Sequence, residues 1–195
     1  MSLVVITGPV RSGKSAAAER LAASLGSPVV VCASGWQGDE EMRRRIRAHR
    51  GERPEGWETR EVDADRAWVA AVPHDAVLVL DCMATLVGQI CYEAVGESEM
   101  ARAMDESGAK SRVDGIINAL MRRTGDTIIV TNEVGWGVVP PSASGRLFRD
   151  LLGRANRALI DKADAAYLVV DGRYLDLKTL PSAPAWPTAP RKDRP

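Results

Sequence analysis

The run Gly8-Pro9-Val10-Arg11-Ser12-Gly13-Lys14-Ser15 has the residue types and spacing of a phosphate-binding loop. Glycine at positions 8 and 13 lets successive backbone N–H groups turn toward a shared anion. Lys14 is placed to reach the β- and γ-phosphates, and the Ser15 hydroxyl is a hard oxygen donor for Mg²⁺. Pro9 has no N–H and removes one donor from the cradle. The loop follows an apolar run at 3–7 and precedes a stretch of helical period at 16–25, so the helix opening near Gly13 adds its positive dipole end. All eight residues are expected to hold the phosphates of a nucleoside triphosphate.

Two further groups have chemistry to offer. Asp81 ends the apolar run Ala76-Val77-Leu78-Val79-Leu80. A carboxylate at the carboxyl end of a strand in an open α/β sheet points into the crevice where phosphates sit, so Asp81 joins Ser15 as an expected Mg²⁺ ligand. The competing reading is an ordinary helix N-cap. His49 lies among Arg45, Arg47, Arg50 and Arg53. Either it is a solvated histidine at a helix end, or a neutral imidazole there attacks phosphorus while Arg50 and Arg53 grip the phosphates. The other histidine, His74, sits in the turn Val72-Pro73-His74-Asp75 and reads as a solvated loop residue.

Positioning such groups needs a sheet. Short β-branched runs at 3–7, 28–33, 76–81, 127–131 and 165–170 alternate with segments of helical period at 16–25, 39–50, 66–72 and 147–163. Strands apolar on both faces, alternating with helices, imply an α/β P-loop fold: a mostly parallel sheet covered by helices on both faces. Residues 173–178 are a candidate terminal edge strand. The helix expected at 39–50 begins with Asp39-Glu40-Glu41 and ends in arginines, in accord with its dipole. Asn132 and Glu133 follow a strand end, and Gly135 and Gly137 permit a loop over 131–141 at the sheet edge where such folds bind ligands.

The 195 residues suffice for one core, expected over 1–179, with 180–195 a proline-rich tail too poor in apolar residues to order itself. Twenty-six basic and 26 acidic residues cancel, so no overall field favours nucleic acid or an anionic membrane. Cys32, Cys82 and Cys91 lack metal-ligand spacing and read as core thiols of a cytoplasmic protein. No apolar run approaches the ~20 residues that span a bilayer.

Several motifs together resemble the bifunctional adenosylcobinamide kinase/adenosylcobinamide-phosphate guanylyltransferase family of cobalamin nucleotide-loop assembly. They are the run from Thr7 to Ser15; Asp39-Glu40-Glu41-Met42 with Arg45-Ile46 and His49-Arg50; Arg53-Pro54 with Trp57 and Thr59; Val130-Thr131-Asn132-Glu133-Val134-Gly135-Trp136-Gly137-Val138-Val139-Pro140; and Phe148-Arg149-Asp150, Gly153-Arg154 and Asn156. The resemblance implies that ATP or GTP phosphorylates the hydroxyl of adenosylcobinamide. GTP then guanylylates His49 with loss of pyrophosphate, and adenosylcobinamide phosphate takes up the GMP. It also implies nucleotide contacts at Ala33, Ser34, Gly35, Arg50, Gly51, Glu52, Arg53, Glu61 and Asp81. A homo-oligomer remains open. The rival readings are a simple P-loop kinase for a small metabolite and a nucleotide-dependent switch protein.

Overall fold

A computed structural model describes residues 2–26, 28–35, 53–95 and 105–182. The chain opens with β1 (Leu3–Thr7), α1 (Lys14–Leu25) and β2 (Val29–Ser34), and continues with β3 (Glu58–Val62), α2 (Ala67–Ala71) and β4 (Val77–Asp81). After these come α3 (Met83–Val95), α4 (Glu106–Arg122), β5 (Thr127–Val130), α5 (Ala143–Lys162), β6 (Ala165–Val170) and β7 (Arg173–Asp176). The strands form one sheet in the order β3-β2-β4-β5-β1-β6-β7, parallel throughout except for antiparallel β7 at the edge.

Alternation along each strand builds two cores. Val4, Ile6, Val29, Val31, Val77, Val79, Ile128 and Val130 meet Ala17, Ala18 and Ala22 of α1. Alanine at these helix positions lets α1 lie close to the sheet, bringing the loop before it over the strand ends. Leu3, Val5, Val30, Cys32, Leu78, Leu80 and Ile129 face the opposite way, toward Leu86 and Ile90 of α3, Ile116 and Leu120 of α4, and Leu152 and Leu159 of α5. Each such side chain removed from water contributes about 1.5–3 kcal/mol, so this thicker layer is the main source of rigidity behind the site.

Two of these helices carried different signals. The α4 stripe of Ala109, Val113, Ile116, Ile117 and Leu120 has helical period, and the Asp105 carboxylate caps it by accepting from the Gly108 N–H at 2.8 Å. The period of this stripe marks a helix outside the helical segments expected from the sequence. Helix α3 is wedged between the sheet and α4 and α5, with Met83, Ala84, Leu86, Val87, Ile90 and Cys91 all buried. It is apolar over most of its circumference, so no amphipathic period announced it. Strand β3 carries too little pattern instead: Glu58-Thr59-Arg60-Glu61-Val62 is mostly polar because it is the exposed sheet edge.

The remaining differences are at boundaries. Helix α5 begins at Ala143 rather than 147, because Ser142, after two prolines, accepts from the Gly145 N–H at 3.1 Å. The edge strand ends at Asp176, and its hairpin turns through Asp171 and Gly172, both with positive φ. The helix expected at 39–50 and tail residues 183–195 lie outside the described residues.

The thiols are free, with Cys32 and Cys91 buried and Cys82 half-buried. Burial pushes the Cys32 thiol up to about 12 and the Cys91 thiol up to about 11, so neither is a nucleophile near neutral pH. No described helix is long and apolar enough to cross a membrane. At the amino ends of the strands, buried Arg123 donates to the carbonyls of Pro73 and Ala76, and exposed His74 meets the Thr124 hydroxyl at 3.0 Å. His74 thus lies at the sheet edge opposite the phosphate-binding loop.

Candidate nucleotide-binding site

The loop between β1 and α1 is held by backbone contacts from three directions. The Ser12 N–H donates to the Pro9 carbonyl at 3.4 Å, closing the turn. From the β6–β7 hairpin the Gly172 N–H donates to the Ser12 carbonyl at 3.0 Å, and beyond β5 the Glu133 N–H donates to the Gly8 carbonyl at 3.1 Å. Gly13 adopts the left-handed conformation immediately before the first turn of α1. Arg11 also has positive φ, an unusual conformation for a residue with a side chain, at a point where backbone groups must converge.

Gly8 is required by space as well as by backbone. At its φ of +149° an added Cβ would stand 2.2 Å from the Val169 carbonyl oxygen of β6. Gly8→Ala is therefore expected to destabilise the fold by roughly 2–4 kcal/mol, with the loop displaced. Gly153→Ala, in helix α5 with open space around it, should instead be neutral or stabilising by up to about 1 kcal/mol. Urea unfolding of the two variants against the parent protein checks the contrast.

Over the carboxyl ends of the central strands opens a cavity of about 520 Å³, lined by residues 10–16 together with Ala33, Ser34, Arg53, Asp81, Cys82, Thr85, Val130 and Asn132. It collects groups from β1, β2, β4 and β5 because those strands are adjacent and in register. Ala33 pairs with both Glu61 and Asp81, Asp81 pairs with Val130, and Val130 pairs with Ile6. Ser34 fixes the peptide after Asp81: its hydroxyl donates to the Cys82 carbonyl at 2.6 Å and accepts from the Cys82 N–H at 2.8 Å. Ala33 and Ser34 therefore join the phosphate-binding loop in one cavity. Gly35 follows directly in the chain, and Glu61 lies in the same cross-sheet row on exposed β3, outside the cavity lining.

Lys14 is 6% exposed, and its Nζ donates to the Pro9 carbonyl at 2.6 Å. Burial lowers its pKa from the ordinary 10.5, against the opposing pull of Cys82 and Asp81. The ammonium is thus held in a partly desolvated place where an arriving phosphate would favour its charged form strongly. The sign follows: phosphate binding raises the Lys14 pKa, so in the alkaline window between its free and bound values nucleotide binding takes up a proton. Titration calorimetry in two buffers of different ionisation enthalpy should detect that uptake at alkaline pH and find none from this group near neutrality.

Ser15 and Asp81 both line the cavity and present a hydroxyl and a carboxylate, a donor pair of the kind Mg²⁺ uses beside phosphates and retained water. Among the described residues no cluster of three or more His, Cys, Asp or Glu forms a self-sufficient metal site. Any Mg²⁺ held here would share its coordination with the nucleotide.

Arg53 lines the cavity with its side chain only 7% exposed, its Nε 3.3 Å from Glu19 of α1 and its Nη1 donating to Thr59 of β3 at 3.0 Å. His49, Arg50, Gly51 and Glu52 lie outside the described residues. Arg53, which follows Glu52 directly in the chain, is at the cavity. Beyond β5, Asn132 lines the same cavity, while Trp136, Val138 and Val139 of the following loop are exposed. The loop expected at the sheet edge is thus rooted at the site.

A sequence profile of the family described as "Cobinamide kinase / cobinamide phosphate guanyltransferase" matches residues 4–177. The chain is 35% identical over 182 residues to "Bifunctional adenosylcobalamin biosynthesis protein CobU" of Escherichia coli strain K12, a match covering 90% of this chain and 99% of that relative. It is 34% identical over 186 residues to the protein of the same name from Salmonella typhimurium strain LT2, covering 90% and 99% respectively. With "Bifunctional adenosylcobalamin biosynthesis protein CobP" of Pseudomonas aeruginosa strain PAO1 it shares 31% identity over 181 residues, covering 91% and 98%.

Proposed function

The chain belongs to the cobinamide kinase/cobinamide phosphate guanyltransferase family, and from that premise we propose that it phosphorylates adenosylcobinamide and then guanylylates the product through His49. Members of the family are bifunctional transferases, and this chain is an enzyme of that class. The observation that carries the proposal is the single cavity that gathers Lys14, Ser15, Ser34 and Asp81 around the phosphate-binding loop in a chain matched from residue 4 to 177.

In the first step the acceptor hydroxyl oxygen bonds to the γ-phosphorus of ATP or GTP as the bond to the β,γ-bridging oxygen breaks. The nucleoside diphosphate leaves, and the hydroxyl proton passes to solvent. Lys14 and the loop N–H groups hold the charge on the phosphates. Ser15 and Asp81 would hold Mg²⁺, which would supply further neutralisation of the phosphate charge.

In the second step the neutral imidazole of His49 attacks the α-phosphorus of GTP and pyrophosphate leaves. A phosphate oxygen of adenosylcobinamide phosphate then attacks the same phosphorus, displaces His49 and gives adenosylcobinamide-GDP. His49 is four residues from Arg53, so even a fully extended chain keeps its Cα within roughly 14 Å of that cavity residue. The three free thiols suit a reducing cytoplasm as the place of work.

The test is to incubate the protein with α-labelled GTP and Mg²⁺ and to measure label retained after denaturation. Acid-labile, base-stable label on the chain is the expected result, since a phosphoramidate has that stability. A protein that phosphorylates adenosylcobinamide yet never takes up label would be a kinase alone.

A further inference from the structure

Asn132 lines the cavity but has no task in the two steps above. Its place in the sheet is specific. Strand β5 lies between β1, which leads into the phosphate-binding loop, and β4, which ends at Asp81. Val130 is in register with Ile6 on one side and Asp81 on the other. Two residues further along, Asn132 stands over the gap between the loop and the acidic strand end, in the cavity shared by Lys14 and Asp81.

The backbone there is fixed on both sides. Asn156 of α5, 5% exposed, accepts from the Thr131 hydroxyl at 2.7 Å and donates from Nδ2 to the Asn132 carbonyl at 2.9 Å. The next N–H, that of Glu133, donates to the Gly8 carbonyl at 3.1 Å, and the Thr131 N–H donates to Ile6 at 2.9 Å. With the main chain so held, the Asn132 carboxamide has few positions open to it, and it makes no hydrogen bond of its own to the described residues. A neutral carboxamide offers two N–H donors, which suits a phosphate oxygen without adding charge.

We propose that Asn132 is the γ-phosphate contact of this site, donating from Nδ2 to a terminal phosphate oxygen, and that Asn156 is its positioning residue. This rests on the nucleotide reading of the cavity. The β-phosphate is served by the loop N–H groups and Lys14. Asn132 lies beyond them, toward Asp81, and so distinguishes triphosphate from diphosphate. A hydrogen bond to a charged partner is the stronger kind, and its loss is felt only by the ligand that carries the third phosphate.

The experiment is titration of the full chain with GDP and with the β,γ-imido analogue of GTP, in the presence of Mg²⁺. Asn132→Ala should weaken the analogue about tenfold or more while leaving GDP within about twofold. Asn132→Asp should weaken the analogue further, by placing a carboxylate against the γ-phosphate. Asn156→Ala should lower the same ratio by a smaller factor. Equal weakening of both ligands by the Asn132 variants, or an unchanged ratio, overturns the proposal. If the parent protein binds neither ligand, the nucleotide reading of the cavity falls and takes this assignment with it. Nucleotide binding with an unaltered ratio removes Asn132 alone.

Discussion

Lys14→Ala is expected to lower both phosphoryl transfer and guanylyl transfer by about 10²–10³, the scale of losing one charge-assisted contact to developing charge in a water-poor site. Lys14 is 6% exposed and already held inside the cavity, where its ammonium needs no large rearrangement to leave the Pro9 carbonyl for a phosphate oxygen. The fold itself should tolerate the change. Burial lowers the pKa of this lysine, which means that the folded protein holds its proton less well than water does. Removing the ammonium therefore relieves a desolvation cost even as it opens a small void. Thermal melts near those of the parent, combined with the loss of both activities, are the expected pair of results. Parental rates for either transfer would show that the reaction does not use this loop.

What the sequence could show in advance divides along physical lines. The loop from Gly8 to Ser15 was legible because its function depends on local backbone freedom and on two side chains adjacent in the chain. Strands β1, β2, β4 and β5 were legible because parallel strands buried on both faces are continuous β-branched runs. Edge strand β3 and the nearly all-apolar helix α3 were not, since one had too little hydrophobic pattern and the other too much.

The same logic holds for the site. Asp81 could be named from its position after a strand, but its meeting with Ala33 and Ser34 depends on β2 and β4 being neighbours, although β3 lies between them in sequence. Asn132 and Asn156 are 24 residues apart and meet through one hydrogen bond, a pairing that no local pattern encodes. Family resemblance brought both residues into view as motif positions. Only the geometry relates the Asn156 carboxamide to the backbone of Asn132, and that backbone to Gly8.

His49→Asn is expected to separate the two activities. Guanylyl transfer through a covalent intermediate needs a nucleophile, and asparagine has no basic lone pair to replace that of an imidazole. Phosphoryl transfer to a hydroxyl needs mainly positioning and charge stabilisation, both of which Lys14, Ser15 and Asp81 can still provide. Supplied with adenosylcobinamide, ATP, GTP and Mg²⁺, the variant should accumulate adenosylcobinamide phosphate, with adenosylcobinamide-GDP falling by at least about 10³. The chain-bound label from α-labelled GTP should vanish with it. Feeding the variant adenosylcobinamide phosphate directly removes any dependence on the kinase step. Formation of adenosylcobinamide-GDP at the parental rate under that condition would mean that the α-phosphorus is attacked by the acceptor itself, and that His49 serves the arginine-rich segment in some other way.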